Sequence, residues 1–276
     1  AGVDKIRLNP GNIRDPAKVE MVVKAAAERR IPIRIGVNAG SLDPELLRKY
    51  GGPTPEAMVE SAANEIALLE RLNFYDIVVS LKSSDVMECA RAYLLFARKF
   101  SYPLHVGITE AGLAGEGVIY SAAGIGIVLA HGVGDTIRVS LTAHPVEEVH
   151  AGFTILRALG LRRCGVRIIA CPMCGRHEID VKALAEEVRE ATQHIKVPLE
   201  IAVMGCVVNG PGEARRADVG IAGGRNKVAV FMHGKVVSVV PPERALSELI
   251  KLAEQCAMEQ SKQLHKHKRM CNGNES

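Results

Sequence analysis

Three cysteines and one carboxylate offer the densest chemistry in the chain. Cys171 and Cys174 form a C-x-x-C pair in Cys171-Pro172-Met173-Cys174-Gly175-Arg176. Cys206 stands just ahead of the turn Asn209-Gly210-Pro211-Gly212, which Glu213 closes. Thiolates at C-x-x-C spacing can grip one metal centre from a single bend of chain. Gly carries no Cβ and Pro presets φ, so the Asn-Gly-Pro-Gly run can turn tightly around such a centre. Three thiolates and one oxygen donor are not the four-cysteine set of a structural zinc. They suit an iron–sulfur cluster with one labile, non-thiolate corner. A zinc site with Glu213 incidental is the bland alternative. Cys89, Cys164, Cys256 and Cys271 lack partners and read as ordinary thiols.

A second set is cationic. Arg7 and Asn9, Arg34 and Asn38, Lys82 and Ser83, Thr109 and Glu110, and Arg138, Ser140 and Thr142 each fall within or just after an apolar, strand-like segment. Arg7, Arg34, Lys82 and Arg138, brought together, would match a doubly charged or cyclic phosphate through charge-assisted hydrogen bonds. Taken singly, Arg7 and Arg34 could be solvated or paired with helix carboxylates; their shared placement favours a site. Glu110 is a candidate acid at a strand end, and could instead anchor a basic neighbour. His105 lies inside a strand pattern and reads as a satisfied core histidine.

The elements that must position these residues alternate. Strands are expected at Val3–Leu8, Ile33–Val37, Ile77–Leu81, Leu104–Ile108 and Thr136–Leu141, each rich in Ile, Val and Leu as doubly covered parallel strands are. Between them lie amphipathic helices. The clearest runs from Pro55 to about Leu72, with Thr54 as N-cap and Met58, Ala62, Ile66, Leu69 and Asn73 on one face. Repeating β-then-α units imply parallel strands with right-handed crossovers. A (β/α) barrel gathers its chemistry at the C-terminal ends of its strands. Five βα units are visible where a barrel wants about eight, so the sheet is open or units are missing.

The pattern changes after Leu161. Strands are expected at Arg167–Ala170, Leu199–Met204, Val219–Ala222, Val228–Met232 and Lys235–Val240, the last two joined as a hairpin at His233-Gly234. Asp180 can cap a helix reaching Thr192, and a last helix covers Glu243–Ala257. The expected organisation is an α/β chain. Residues 1–161 form the C-terminal part of a (β/α) barrel that binds substrate, 162–258 a small α+β iron–sulfur domain, and 259–276 a polar, mobile tail.

Composition narrows the class. The 276 residues are 47% hydrophobic and 24% charged, with no tryptophan and a net charge of +4. So few aromatics argue against a single-strand nucleic-acid platform, and so mild a charge announces neither nucleic acid nor membrane. Seven cysteines do not read as a secreted disulfide framework, and a reducing cytoplasm is expected. No run reaches the roughly 20 apolar residues of a membrane span. Ser121 to Val133 comes nearest and is broken by three glycines. The start on a strand-like pattern without Met suggests a fragment or a processed product.

Read together, the motifs Arg7-Leu8-Asn9-Pro10-Gly11-Asn12, Pro32-Ile33-Arg34-Ile35-Gly36-Val37-Asn38-Ala39-Gly40-Ser41-Leu42, Val79-Ser80-Leu81-Lys82-Ser83, His105-Val106-Gly107-Ile108-Thr109-Glu110-Ala111-Gly112, the run from Gly134 to Thr142, and both cysteine motifs closely resemble one family. It is the iron–sulfur 4-hydroxy-3-methylbut-2-enyl diphosphate synthase family of the non-mevalonate isoprenoid pathway. The resemblance covers nearly the whole chain. It implies an N-terminal (β/α)8 TIM-type barrel, of which about five of eight units are here, and a C-terminal domain akin to the cluster domain of sulfite reductases. It implies a [4Fe–4S] cluster on Cys171, Cys174, Cys206 and Glu213, and flavodoxin or ferredoxin as electron donor. It further implies a homodimer and reductive ring opening of 2-C-methyl-D-erythritol 2,4-cyclodiphosphate with loss of water. On this basis Arg7, Asn9, Arg34, Asn38, Lys82, Arg138 and Ser140 are the expected substrate-binding set, and Glu110 and Glu213 the expected catalytic pair. Met173 and His144 depart from the family's usual residues without touching a ligand position. The other readings are a truncated, inactive copy, a cluster-carrying electron-transfer module, and a zinc-stabilised phosphate-binding barrel.

Overall fold

Apolar residues at every second position give the strands of the N-terminal half one face for helices and leave the other for polar groups. The computed structural model describes all residues except 1, 14, 173, 207–211, 213–215 and 273–276, and for 264–272 the backbone alone. The chain divides into two compact units, Ala1–Arg162 and Arg163–Ser276.

The first unit runs β1 (Ile6–Leu8), α1 (Pro16–Arg29), β2 (Ile33–Asn38), α2 (Pro44–Tyr50), α3 (Pro55–Arg71), β3 (Ile77–Lys82), α4 (Val86–Ala97), β4 (His105–Val106), α5 (Ala114–Ala130), β5 (Thr136–Ile137) and α6 (Pro145–Ala158). β1, β2 and β3 pair in parallel, as do β4 and β5, and a parallel bridge between Val79 and Leu104 links the two groups. The strands therefore follow one another in chain order. Helix starts are written locally: the side chains of Asp15, Asp43, Thr54 and Asp85 each accept a hydrogen bond from a first-turn N–H. Ile33, Ile35 and Val37 of β2 and Ile77, Val79 and Leu81 of β3 pack under Met58, Ala62, Ile66 and Leu69 of α3 and Tyr93 and Phe96 of α4. Each such aliphatic side chain contributes roughly 1.5–3 kcal/mol by leaving water.

Some boundaries differ from the sequence reading. Asn73 does not extend the buried face of α3; it sits past the helix end at φ 57°, a left-handed position that Asn tolerates. β1, β4 and β5 are shorter than their apolar runs. Beyond Val106 and Ile137 the two segments stay joined outside the regular ladder, through Arg138 N–H to the Val106 carbonyl at 2.8 Å and a bridge between Leu113 and Thr142.

The second unit holds β6 (Val166–Ala170), α7 (Val181–Ala191), β7 (Leu199–Met204), β8 (Val219–Gly224), β9 (Lys227–Met232), β10 (Lys235–Val240) and α8 (Pro242–Asn272). Its sheet has the order β10-β9-β8-β7-β6, with β6, β7 and β8 parallel and β8, β9 and β10 antiparallel. The β9–β10 hairpin turns at His233 and Gly234, with φ of 47° and 75°, the paired positive values a two-residue turn requires. Asp180 caps α7, accepting from Ala183 N–H at 3.0 Å. The last helix runs further than expected: α8 continues through 258–272 to Asn272 rather than ending near Ala257. No Gly or Pro interrupts that stretch until Gly273, so nothing in the chain stops the helix from propagating. Among the described residues, no helix is long and apolar enough to cross a membrane.

Candidate functional site

Strand parity turns Arg7, Arg34 and Lys82 to the face opposite the helices. The register sets Arg7 beside Arg34 and Asn38 beside Lys82. Arg34 lies near the start of β2, four residues before Asn38, or about 13 Å along an extended strand. The cations thus line a face at several levels instead of gathering at strand ends. Arg7 closes part of that gap by leaning along the strand direction. Its Nη2 donates to the Gly36 carbonyl at 3.0 Å. Arg138 and Ser140 follow β5, where Gly107 leaves room for close approach. A Cβ on Gly107 would stand 2.5 Å from the Arg138 carbonyl oxygen.

The electrostatics follow from this proximity. Burial first, and Arg138 second, lower the Arg7 pKa. Arg34 is lowered by burial, then by Arg7 and Arg138. Lys82, 2% exposed, falls to about 7 through burial, then through Arg138, Arg34 and Arg7. Among the described residues, none of the four is paired with a carboxylate. Cations that field one another with no counter-charge form a ready anion pocket. Among the described residues, the buried Asn38 Oδ1 and Ser140 Oγ have no hydrogen-bond partner, although buried polar atoms are normally satisfied.

The remaining expected residues divide. Asn9 uses both ends of its side chain in its loop: Oδ1 accepts from Gly11 N–H at 3.1 Å and Nδ2 donates to Ser41 Oγ at 3.4 Å. Glu110 is exposed, and its φ of 55° is a left-handed conformation that costs a non-glycine residue roughly 1–2 kcal/mol.

In the second unit Cys171 directly follows β6, and Cys206 follows β7 after one glycine. The strands are neighbours, with Ala170 opposite Val203. Gly205 N–H donates to Cys171 Sγ at 3.1 Å. A side chain at 205 would crowd Val181 and His177, at 2.9 and 3.0 Å. Hydrogen bonds from Arg176, backbone first and then side chain, lower the pKa of the exposed Cys174 thiol, which favours the thiolate. The six described cysteines are free. Glu213 and Met173 lie outside the described residues. Among the described residues, no three His, Cys, Asp or Glu side chains converge on a point fit for a single metal ion. The donor chemistry fits an iron–sulfur cluster, whose thiolates bind separate irons and so stand apart.

Comparison with known proteins identifies the scaffold. Residues 1–153 match the family model described as GcpE TIM-barrel domain, and residues 167–255 that described as GcpE protein C-terminal domain. The chain belongs to the GcpE family. A relative from Caldanaerobacter subterraneus subsp. tengcongensis is 59% identical over 94% of this chain and 73% of its own length. One from Geobacillus thermodenitrificans is 56% identical over 94% of this chain and 69% of its own. Both are named 4-hydroxy-3-methylbut-2-en-1-yl diphosphate synthase (flavodoxin). GcpE is thus a family of enzymes, and the named flavodoxin marks them as oxidoreductases. A solved HMG-CoA lyase from Brucella melitensis overlays 56% of this chain and 58% of its own at 15% identity with a TM-score of 0.37, too slight a likeness to bear on the GcpE fold.

Two residues of the inner face were not legible as functional. His105, expected in the core, faces the cations, with Nδ1 2.8 Å from Thr136 Oγ1. The signal was parity: His105, Gly107 and Thr109 alternate with Val106 and Ile108. Gly36 carries no chemistry of its own, and no pattern distinguishes it until Arg7 is placed across it.

Proposed function

We propose that this chain makes the product for which its relatives are named, by reductive ring opening and dehydration of 2-C-methyl-D-erythritol 2,4-cyclodiphosphate. Two electrons and two protons enter, one C–O bond of the ring opens, and one water leaves. The observation that carries this reading is the set of four cations without counter-charge on one sheet face, beside the unpartnered Asn38 Oδ1 and Ser140 Oγ. Arg7, Arg34, Lys82 and Arg138 hold the cyclic diphosphate. Ser140 donates to a phosphate oxygen, Asn38 Oδ1 accepts from a substrate hydroxyl, and Asn9 shapes the loop beside Arg7. Glu110 gives a proton to the hydroxyl that departs as water.

Cys171, Cys174, Cys206 and Glu213 would hold a [4Fe–4S] cluster. When bound, it supplies the electrons one at a time and offers Lewis-acidic iron at the carboxylate corner. The names of the relatives support flavodoxin as the donor. The same reading takes the five βα units as part of an eight-unit barrel and the second unit as a relative of the sulfite reductase cluster domain. It also takes the protein to be a cytoplasmic homodimer.

Anaerobic reconstitution with iron and sulfide counted per chain tests it. Near four of each, lost in Cys206→Ser and altered in Glu213→Ala, is expected, with turnover of the cyclodiphosphate by reduced flavodoxin. Zinc without acid-labile sulfide would sink the cluster. An intact cluster without turnover would leave only a carrier.

A further inference from the structure

His105 opens β4 on the same face as the cations and is half-buried. Thr136, its register partner on β5, holds Nδ1 at 2.8 Å. The buried Tyr93 hydroxyl of α4 donates to the His105 carbonyl at 2.8 Å, so the residue is held from the helix side as well. Nε2 makes no hydrogen bond among the described residues. The charged groups facing the ring are Arg34 of β2, Lys82 of β3, Lys5 ahead of β1 and Arg138 after β5, with no carboxylate among them. Burial first, and these cations after it, push the imidazole down to about 4, so it is neutral at pH 7. A bound dianion would offset the cationic part of that lowering, and would offer an acceptor to the free nitrogen.

We propose that His105 is a ligand of the bound phosphate group and takes up a proton from solvent as the anion binds, passing from imidazole to imidazolium. Thr136 fixes the ring so that Nε2 is the nitrogen left for the anion. The inference rests on the anion-pocket reading above. It adds a residue that reads charge instead of merely supplying it, and makes anion affinity rise on acidification.

Lys82, at about 7, is already largely charged near pH 5.5, so uptake in that range isolates His105. The test follows the His105 ring by nitrogen-15 NMR in the full chain, assigned by its loss in His105→Asn, or in His105→Gln should the first variant fail to fold. Sulfate is the probe, because it is a dianion that does not titrate in this range. The expected result is a midpoint raised by about one unit or more at saturating sulfate, a tenfold or greater gain in proton affinity. Sulfate affinity should also rise between pH 5.5 and 4.5, where Lys82 is already charged, in the wild type and stay flat in the variant. If sulfate shifts the Lys82 and arginine resonances while the His105 midpoint stays put, the histidine is structural and the anion pocket survives without it. If sulfate binds nowhere on this face, both readings fall.

Discussion

Arg7 lies across Gly36. The guanidinium donates to the Gly36 carbonyl at 3.0 Å, and a Cβ on residue 36 would stand 2.2 Å from Arg7 Nε. Gly36 is not among the positive-φ residues, so alanine is tolerable to the backbone and intolerable only to Arg7. Gly36→Ala should therefore fold, displace one cation and weaken cyclodiphosphate binding by about tenfold or more, the scale of one charged hydrogen bond. Calorimetry checks it. Unchanged affinity would mean that Arg7 plays no part in holding the ligand.

Lys82 is a buried cation among cations, and its effect on stability has a definite sign. Its folded pKa of about 7 lies below the ordinary 10.5, so from about pH 7 to 10.5 the unfolded chain holds a proton that the folded one has released. Stability therefore rises with pH across that window, and the full penalty of burying the charge applies below it. Lys82→Met should stabilise the unliganded protein near pH 6 by on the order of 1–3 kcal/mol while lowering diphosphate affinity. Urea unfolding at pH 6 and pH 9 checks this, with the gain expected to shrink at the higher pH.

Glu110 holds an exposed, left-handed backbone position on the chain that leaves β4. If it is the proton donor, Glu110→Gln should lower kcat by roughly 10²–10⁴ with KM little changed. Unchanged turnover with intact iron content would remove that role.

Gly220 sets the packing of the second unit. A Cβ there would stand 2.3 Å from Phe231 Cζ and 2.7 Å from the Ala202 carbonyl oxygen. Gly220→Ala should cost about 1–3 kcal/mol, since neither a ring in a packed face nor a strand carbonyl yields readily. Thermal unfolding of the second unit is the measurement, and a neutral result would mean that the sheet relaxes around the methyl group.

Much of this protein was legible in its sequence because the controlling signals are local. Thr54 and Asp180 cap their helices, Leu199–Met204 and Lys235–Val240 are strands at the expected bounds, and the hairpin turns at His233-Gly234. Capping, alternation and turn chemistry act over a few residues, so the chain states them directly.

What the tertiary structure decided is how residues far apart in the chain meet. Parallel register set Arg7 beside Arg34 and His105 beside Thr136, and it spread the cations over a face where strand-end logic had gathered them. It made a histidine of the supposed core part of the pocket wall, and it made Gly36 the space in which an arginine lies. The reason is that the charge state of a side chain depends on burial and on neighbours tens of residues away. Beyond burial, Arg7 and Arg138 lower the Arg34 pKa, and Arg138, Arg34 and Arg7 that of Lys82, only because strands distant in sequence are neighbours in the sheet.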